Sequence, residues 1–310
     1  MKKLVLYIFL MGFVFAMAGC SNDDIDETNS VFTHEKVDSS EFDHWLAKNY
    51  TQPYNIRPLY RYHDLETDNS YNVIPAKVKN VQALAVIMKH IWLDAYAEVA
   101  GPDFLKKYCP RIFQFIGSGE YNSNGSVVLG TAEGGMKITL FRVNAIDPDN
   151  IFIDSVSAVP QTEHLPLDLN YWYFHTMHHE FCHILTQHKN YSTDFQLVSA
   201  GKYHSSDWVN VKDEDAPALG FVSGYASGEY NEDFAEIYST YVTHTQEAWD
   251  KLLALGVKNG DTSGRDAIVK KLAIIKEYFK SSYGLDIDKL REVVLRRCHE
   301  VQNMDLSKLN

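Results

Sequence analysis

His179-Glu180-Phe181-Cys182-His183 sets two imidazoles four residues apart, with a carboxylate directly after the first. On a helix, residues four apart lie about 40° from each other around the axis, so both rings leave the same face. Two nitrogen donors on one face are the start of a zinc site. Glu180 stands one step round, near enough to act on a water at the metal without displacing it. The flanks support a helix. Phe181, Ile184 and Leu185 can pack inward, and no Pro or Gly interrupts Tyr171 to Gln187.

A catalytic zinc ion needs a third protein ligand and one open position. His188, five residues after His183, points away from the pair. A Gly three residues after the second His, followed by a third His, would mark one known solution, but Thr186 and Lys189 stand in that stretch. His175 is four residues before His179, yet three ligands spread over two turns, about 12 Å, cannot all reach one ion. It reads as a cleft or packing residue. The segment Tyr225-Ala-Ser-Gly-Glu-Tyr-Asn-Glu232-Asp-Phe-Ala-Glu236 offers better candidates. Glu232 and Glu236 share a helix face, so one can bind the metal while the other accepts a hydrogen bond from the far nitrogen of a ligand histidine. Tyr230 reads as a packing or rim residue.

These segments need a scaffold. Residues 41–62 suit a short helix followed by an extended strand, and 80–100 a largely buried helix that Gly101-Pro102 ends. Strand signals follow at Arg111–Ile116, Ser126–Gly130 and Met136–Val143. In the last, Met136, Ile138 and Leu140 face one way, and Lys137, Thr139 and Phe141 the other. From 168 onward the pattern is mainly helical. Thr262-Ser263 and Gly284 bracket one long helix, and Arg291–Gln302 suits a final one. Helix, mixed sheet, metal-binding helix and a helical C-terminal half make an α+β architecture.

The N-terminus carries a separate signal. Lys2 and Lys3 precede an apolar run, Leu4–Ala16, and then Met17-Ala18-Gly19-Cys20. This is the layout of a secretory signal, and the run is too short to span a bilayer. The ending resembles the lipobox of bacterial lipoproteins, which implies cleavage after residue 19 and a lipid on Cys20. The polar, acidic stretch up to residue 40 reads as a tether, and 41–310 as the metallohydrolase domain. Cys182 is expected to be a free packing thiol, while Cys109 and Cys298 are a candidate pair that spacing alone does not join. The net charge of −12 argues against a nucleic-acid partner, because phosphate binding needs a basic face.

The Tyr225, Glu232, Glu236 spacing behind an H-E-x-x-H helix resembles the catalytic region of anthrax lethal factor-type zincins. That resemblance implies Tyr225 as oxyanion donor, Glu232 as third ligand beside His179 and His183, and Glu236 as the group behind a ligand histidine. It also implies a zincin-like fold whose edge strand flanks the cleft, here expected at Met136–Val143. Together with the lipobox and the segment Trp45-Leu46, Asn49-Tyr50, Pro53-Tyr54-Asn55-Ile56, the chain resembles the substrate import-associated zinc metallohydrolase lipoproteins. The family implies one Zn(2+) per chain, a peptide or protein substrate, an outer-membrane address through the lipid anchor, and a nutrient-import complex as partner. A zinc-containing lipoprotein that binds substrate without cleaving it is the alternative.

Overall fold

The computed structural model describes residues 39–62, 71–121, 127–128, 130–133, 136–160 and 164–309. They form a unit spanning Ser40–Asn310. The expected signal segment, Cys20 and nearly all of the expected tether lie outside the described residues.

Ser40 opens the unit with a reciprocal cap. Its Oγ accepts the Asp43 N–H, and the Asp43 carboxylate takes the Ser40 N–H in return. The helix α1 (Glu41–Leu46) runs through a wider turn (Ala47–Thr51) toward β1 (Arg57–Leu59). The buried helix expected at 80–100 is continuous but not uniform: α2 (Val78–Met88) passes through a π-helical turn (Lys89–Leu93) into α3 (Asp94–Ala100). Gly101 ends it at φ +84°. Pro102 then starts a further helix, α4 (Pro102–Tyr108), because proline is well suited to a first helical turn.

The strands are β2 (Ile112–Phe115), β3 (Glu120–Tyr121), β4 (Val127–Val128), β5 (Gly130–Glu133) and β6 (Lys137–Leu140). The main sheet has the order β1-β2-β6-β5, parallel except for the β5–β6 pair. This corrects the expectation for Met136–Val143. Its strand is interior, and the edge is β5, which packs against the helix carrying His179. Lys137, Ile138, Thr139 and Leu140 are all buried, so both faces of β6 are covered.

From Asn170 the chain is mainly helical. A π-helical turn (Asn170–His175) leads directly into α5 (Thr176–His188). Then come α6 (Tyr230–Thr243), α7 (Gln246–Leu255), α8 (Ser263–Tyr283) and α9 (Ile287–Glu300). Gly284 closes α8 in the left-handed conformation, where a side chain would be strained. Mixed sheet and helices together are an α+β arrangement. No described helix is long and apolar enough to cross a membrane.

Aromatic packing sets the rear of α5. Phe181 is fully buried, with Trp92 and Tyr96 each 5.1 Å from it and edge-on. Behind it, the Tyr96 hydroxyl bonds His178 Nδ1 at 2.8 Å and the Tyr238 hydroxyl at 2.6 Å. These contacts lock α3, α5 and α6 together and turn His179 and His183 the other way. Cys109, Cys182 and Cys298 are all free and buried, so the candidate pair does not form.

A buried ion pair fixes the start of α6. Lys271 Nζ on α8 lies 2.5 Å from Asp233 Oδ2, with both side chains fully buried. The same ammonium donates to Gly220 O, and Tyr203 donates to the Asp233 carboxylate. Burial raises the Asp233 pKa and lowers that of Lys271, as expected where desolvation outweighs attraction, so the pair serves geometry more than stability. Lys271→Met strands a buried carboxylate. The expected loss is about 3–5 kcal/mol of unfolding free energy, measured by urea titration. A loss under about 0.5 kcal/mol, the scale of surface substitutions, would mean that the pair anchors nothing.

Candidate metal centre

His179 and His183 leave α5 on one face, and Glu232 and Glu236 leave the first turns of α6 toward it. The Nε2 atoms of His179 and His183 are 3.0 Å apart. Glu232 Oε2 lies 2.9 Å from the first and 3.3 Å from the second. Donors bound about 2.0–2.1 Å from a tetrahedral zinc stand roughly 3.3 Å from one another, so this triangle is the right size for one ion.

A second group that could hold a cation shares His179: the His175, His179 and Glu236 side chains. The hydrogen-bond chemistry separates the two. Glu236 Oε1 is 2.8 Å from His175 Nε2 and 2.9 Å from His179 Nδ1, and Ser223 Oγ donates to Oε2 at 2.6 Å. Ordinary N–H and O–H donation explains every contact of that carboxylate. A proton on His179 Nδ1 leaves Nε2 of the neutral ring with only a lone pair, aimed at a second imidazole nitrogen and a carboxylate oxygen. A metal ion at their centre satisfies all three at once, so the donor set fits zinc at His179, His183 and Glu232.

Electrostatics point the same way. Burial alone would hold the His179 imidazolium down, yet the carboxylates on its two ring nitrogens lift its pKa to about 10. Burial works against the Glu232 carboxylate, but hydrogen bonds from His179 and His183 hold its pKa well below the usual range. A positive charge is therefore strongly favoured here, whether proton or metal. Glu180 faces the same cleft, and burial is the main cause of its raised pKa. Tyr225 also lines the cleft. Its pKa is raised, first by burial and then by the nearby Glu232 carboxylate, so it keeps its proton at neutral pH.

The loop carrying Tyr225 is held from both sides. Gly224 N–H donates to Asp213 Oδ1 at 2.8 Å. A Cβ at Gly224 would stand 2.1 Å from Val211 O, so no side chain fits at that crossing. Trp208 packs edge-on against Tyr225 at 4.9 Å, and the Tyr225 ring is 5.9 Å from that of His179. Glu236, through Ser223, ties this loop to the ring of His179.

The structure thus brings His179, Glu180, His183, Tyr225, Glu232 and Glu236 together. His188 is exposed on the far side, against the Tyr108 ring, and Tyr230 lies at the rim of a neighbouring cavity. His175 lines the cleft, as read from the sequence, and in addition shares the Glu236 carboxylate. Ser223, Trp208 and the Lys271–Asp233 pair were not legible. Ser223 and Trp208 belong to no helical face with the motif, and a lone lysine in an amphipathic helix reads as solvated.

A protein-family model described as "Putative zinc-binding metallo-peptidase" matches residues 35–288. A solved crystal structure, described as that of a "putative zinc-binding metallo-peptidase" from Bacteroides caccae ATCC 43185, is 37% identical to this chain. It superposes with a TM-score of 0.71, and the match covers 91% of this chain and 100% of that one. None of the curated proteins compared matches the chain.

Proposed function

This chain belongs to the zinc-binding metallo-peptidase family whose model it matches, and from that premise we propose that it hydrolyses peptide bonds with one zinc ion held by His179, His183 and Glu232. The observation that carries the reading is the convergence of three lone-pair donors on one point beside Glu180. Zinc, when bound, supplies Lewis acidity, polarising the scissile carbonyl and making a water easier to deprotonate.

The remaining chemistry belongs to side chains. Glu180 takes the proton of the attacking water and passes it to the leaving amine. The burial that raises its pKa favours that role, since a base with a raised pKa holds the proton long enough to hand it on. Tyr225 donates its hydroxyl to the carbonyl oxygen as negative charge gathers there. Glu236 orients the His179 ring, and with it the metal-facing nitrogen.

The test uses residues 22–310, expressed without the lipid cysteine. Cleavage of a mixed peptide library that stops with a chelator and returns with zinc supports hydrolysis. Zinc binding with no product supports capture of the substrate without cleavage. Tyr225→Phe is expected to lower kcat by about 10²–10³-fold at unchanged zinc content. A change confined to KM would remove Tyr225 from the transition state.

We also propose that the mature chain is an outer-membrane lipoprotein that serves nutrient import, tethered through Cys20. The support is the Met17-Ala18-Gly19-Cys20 ending and the tether behind it. Labelled palmitate should enter the parent chain and not Cys20→Ala. Equal labelling of the two would discard the anchor.

A further inference from the structure

The metal centre opens onto a cavity of about 600 Å³ on its His175 side, with His179, Glu180 and Tyr225 at the junction. That volume is in the range of ligand sites. Val211, Val222, Leu252 and Ala158 give it apolar walls. Its polar lining includes Asp154, Asp168, Asp213, Glu214 and Asn170, and Lys212 is the one Lys or Arg among the lining residues. Lys212 is exposed.

Counting donors against acceptors shows what this cavity lacks. Asp213 accepts the Gly224 N–H through Oδ1 and forms no ion pair among the described residues. Asn170 is 2% exposed. Its Nδ2 donates to Asp154 O and Thr243 O, while its Oδ1 has no partner. An unsatisfied buried acceptor is costly, so a ligand that donates hydrogen bonds is favoured there. Burial, with Glu236 and Glu214 adding to it and the Gly224 N–H and His175 opposing, pushes the Asp213 carboxyl pKa up, a penalty that a further cation would relieve.

We infer that this cavity is a subsite for a basic side chain of the peptide, lysine or arginine, and that Asp213 selects it. The inference rests on the peptidase reading above. The apolar walls suit the methylene stem, and the acceptors suit the ammonium or guanidinium head. An acidic side chain meets like charge, and an apolar one brings no cation to the Asp213 carboxylate and no donor to Asn170 Oδ1.

The experiment measures binding, so that it does not depend on turnover. Zinc-loaded Glu180→Gln protein is titrated with capped alanine hexapeptides that carry one lysine, norleucine or glutamate, its position scanned. At one position lysine should bind about ten- to a hundredfold tighter than norleucine, the span of a charge-assisted hydrogen bond. Adding Asp213→Asn keeps an acceptor for Gly224 N–H and should bring that ratio close to one. Glu214→Gln, at an exposed site, should lower it less, and it stands in if the Asp213 variant does not fold. Lysine and norleucine binding alike at every position, glutamate binding best, or a lysine preference that survives Asp213→Asn would each overturn the subsite. Zinc content and turnover of the parent chain are read separately. A parent without zinc or product would sink the peptidase reading, whereas an active parent with a flat lysine ratio would sink the subsite alone.

Discussion

Glu180→Gln yields a folded, zinc-loaded protein whose peptide turnover is lower by about 10²–10⁴-fold, the usual worth of a positioned general base. The amide matches the carboxylate in shape but cannot take up a proton. Glu180 is not one of the three converging donors, so metal content should equal that of the parent. The raised pKa of Glu180 comes chiefly from burial, with Glu232 and Glu236 adding to it and His179 and His183 opposing. The environment thus tunes a base and gives no sign of a structural ion pair. Single-turnover kinetics and metal analysis on the same sample check the claim. Parental turnover in this variant would move the base elsewhere and end the mechanism proposed here.

Glu232→Ala is expected to abolish stoichiometric zinc binding, where the parent binds about one ion per chain. Two imidazoles remain, but a third protein ligand and one of the two carboxylates facing His179 are gone. Glu236→Gln is the internal comparison. It leaves the triad whole and should weaken zinc by about 10–100-fold, as loss of an outer hydrogen-bond partner does. In the parent, zinc at 100 times its dissociation constant should add about 2.7 kcal/mol to stability, an increment absent from Glu232→Ala. Equal zinc in parent and Glu232→Ala would show that the metal sits elsewhere, with the His175, His179 and Glu236 group the first alternative.

pH enters through His179. Its folded pKa is raised from 6.5 to about 10. In the metal-free protein its stabilising contribution is therefore complete below about 6.5 and lost as pH rises through about 10. Near pH 7 zinc must displace that proton, so binding releases protons and tightens as pH increases.

Helices were more legible than strands. Helix α8 was bracketed by Thr262-Ser263 and Gly284 because end signals are local, although only the Gly284 cap forms and Thr262 makes no side-chain cap bond, and α5 by an unbroken run with one apolar face. Helix α4 was hidden because Gly101-Pro102 reads as a stop, although the same proline begins the next helix. Strand β5 shares only Gly130 with the expected Ser126–Gly130 strand, and its place at the edge depends on pairing with β6, which a strand's own residues do not encode. The alternation in Met136–Phe141 assigns residues to two faces, but that both faces are covered is a property of the layers that pack on them.

By itself the sequence determined the two histidines and the base, since i and i+4 on a helix share a face whatever surrounds them. It also carried the Glu232–Glu236 pair as a face awaiting a partner, with their separate roles supplied by resemblance. Only the tertiary structure decided that Glu232 closes the triangle while Glu236 turns to Nδ1 of His179, because that choice depends on how α6 lies across α5. The Lys271–Asp233 anchor and the aromatic packing behind Phe181 set that crossing, and they join residues far apart in the chain. The same holds for the cavity beside the metal centre, whose walls come from loops that meet only once the helices have packed.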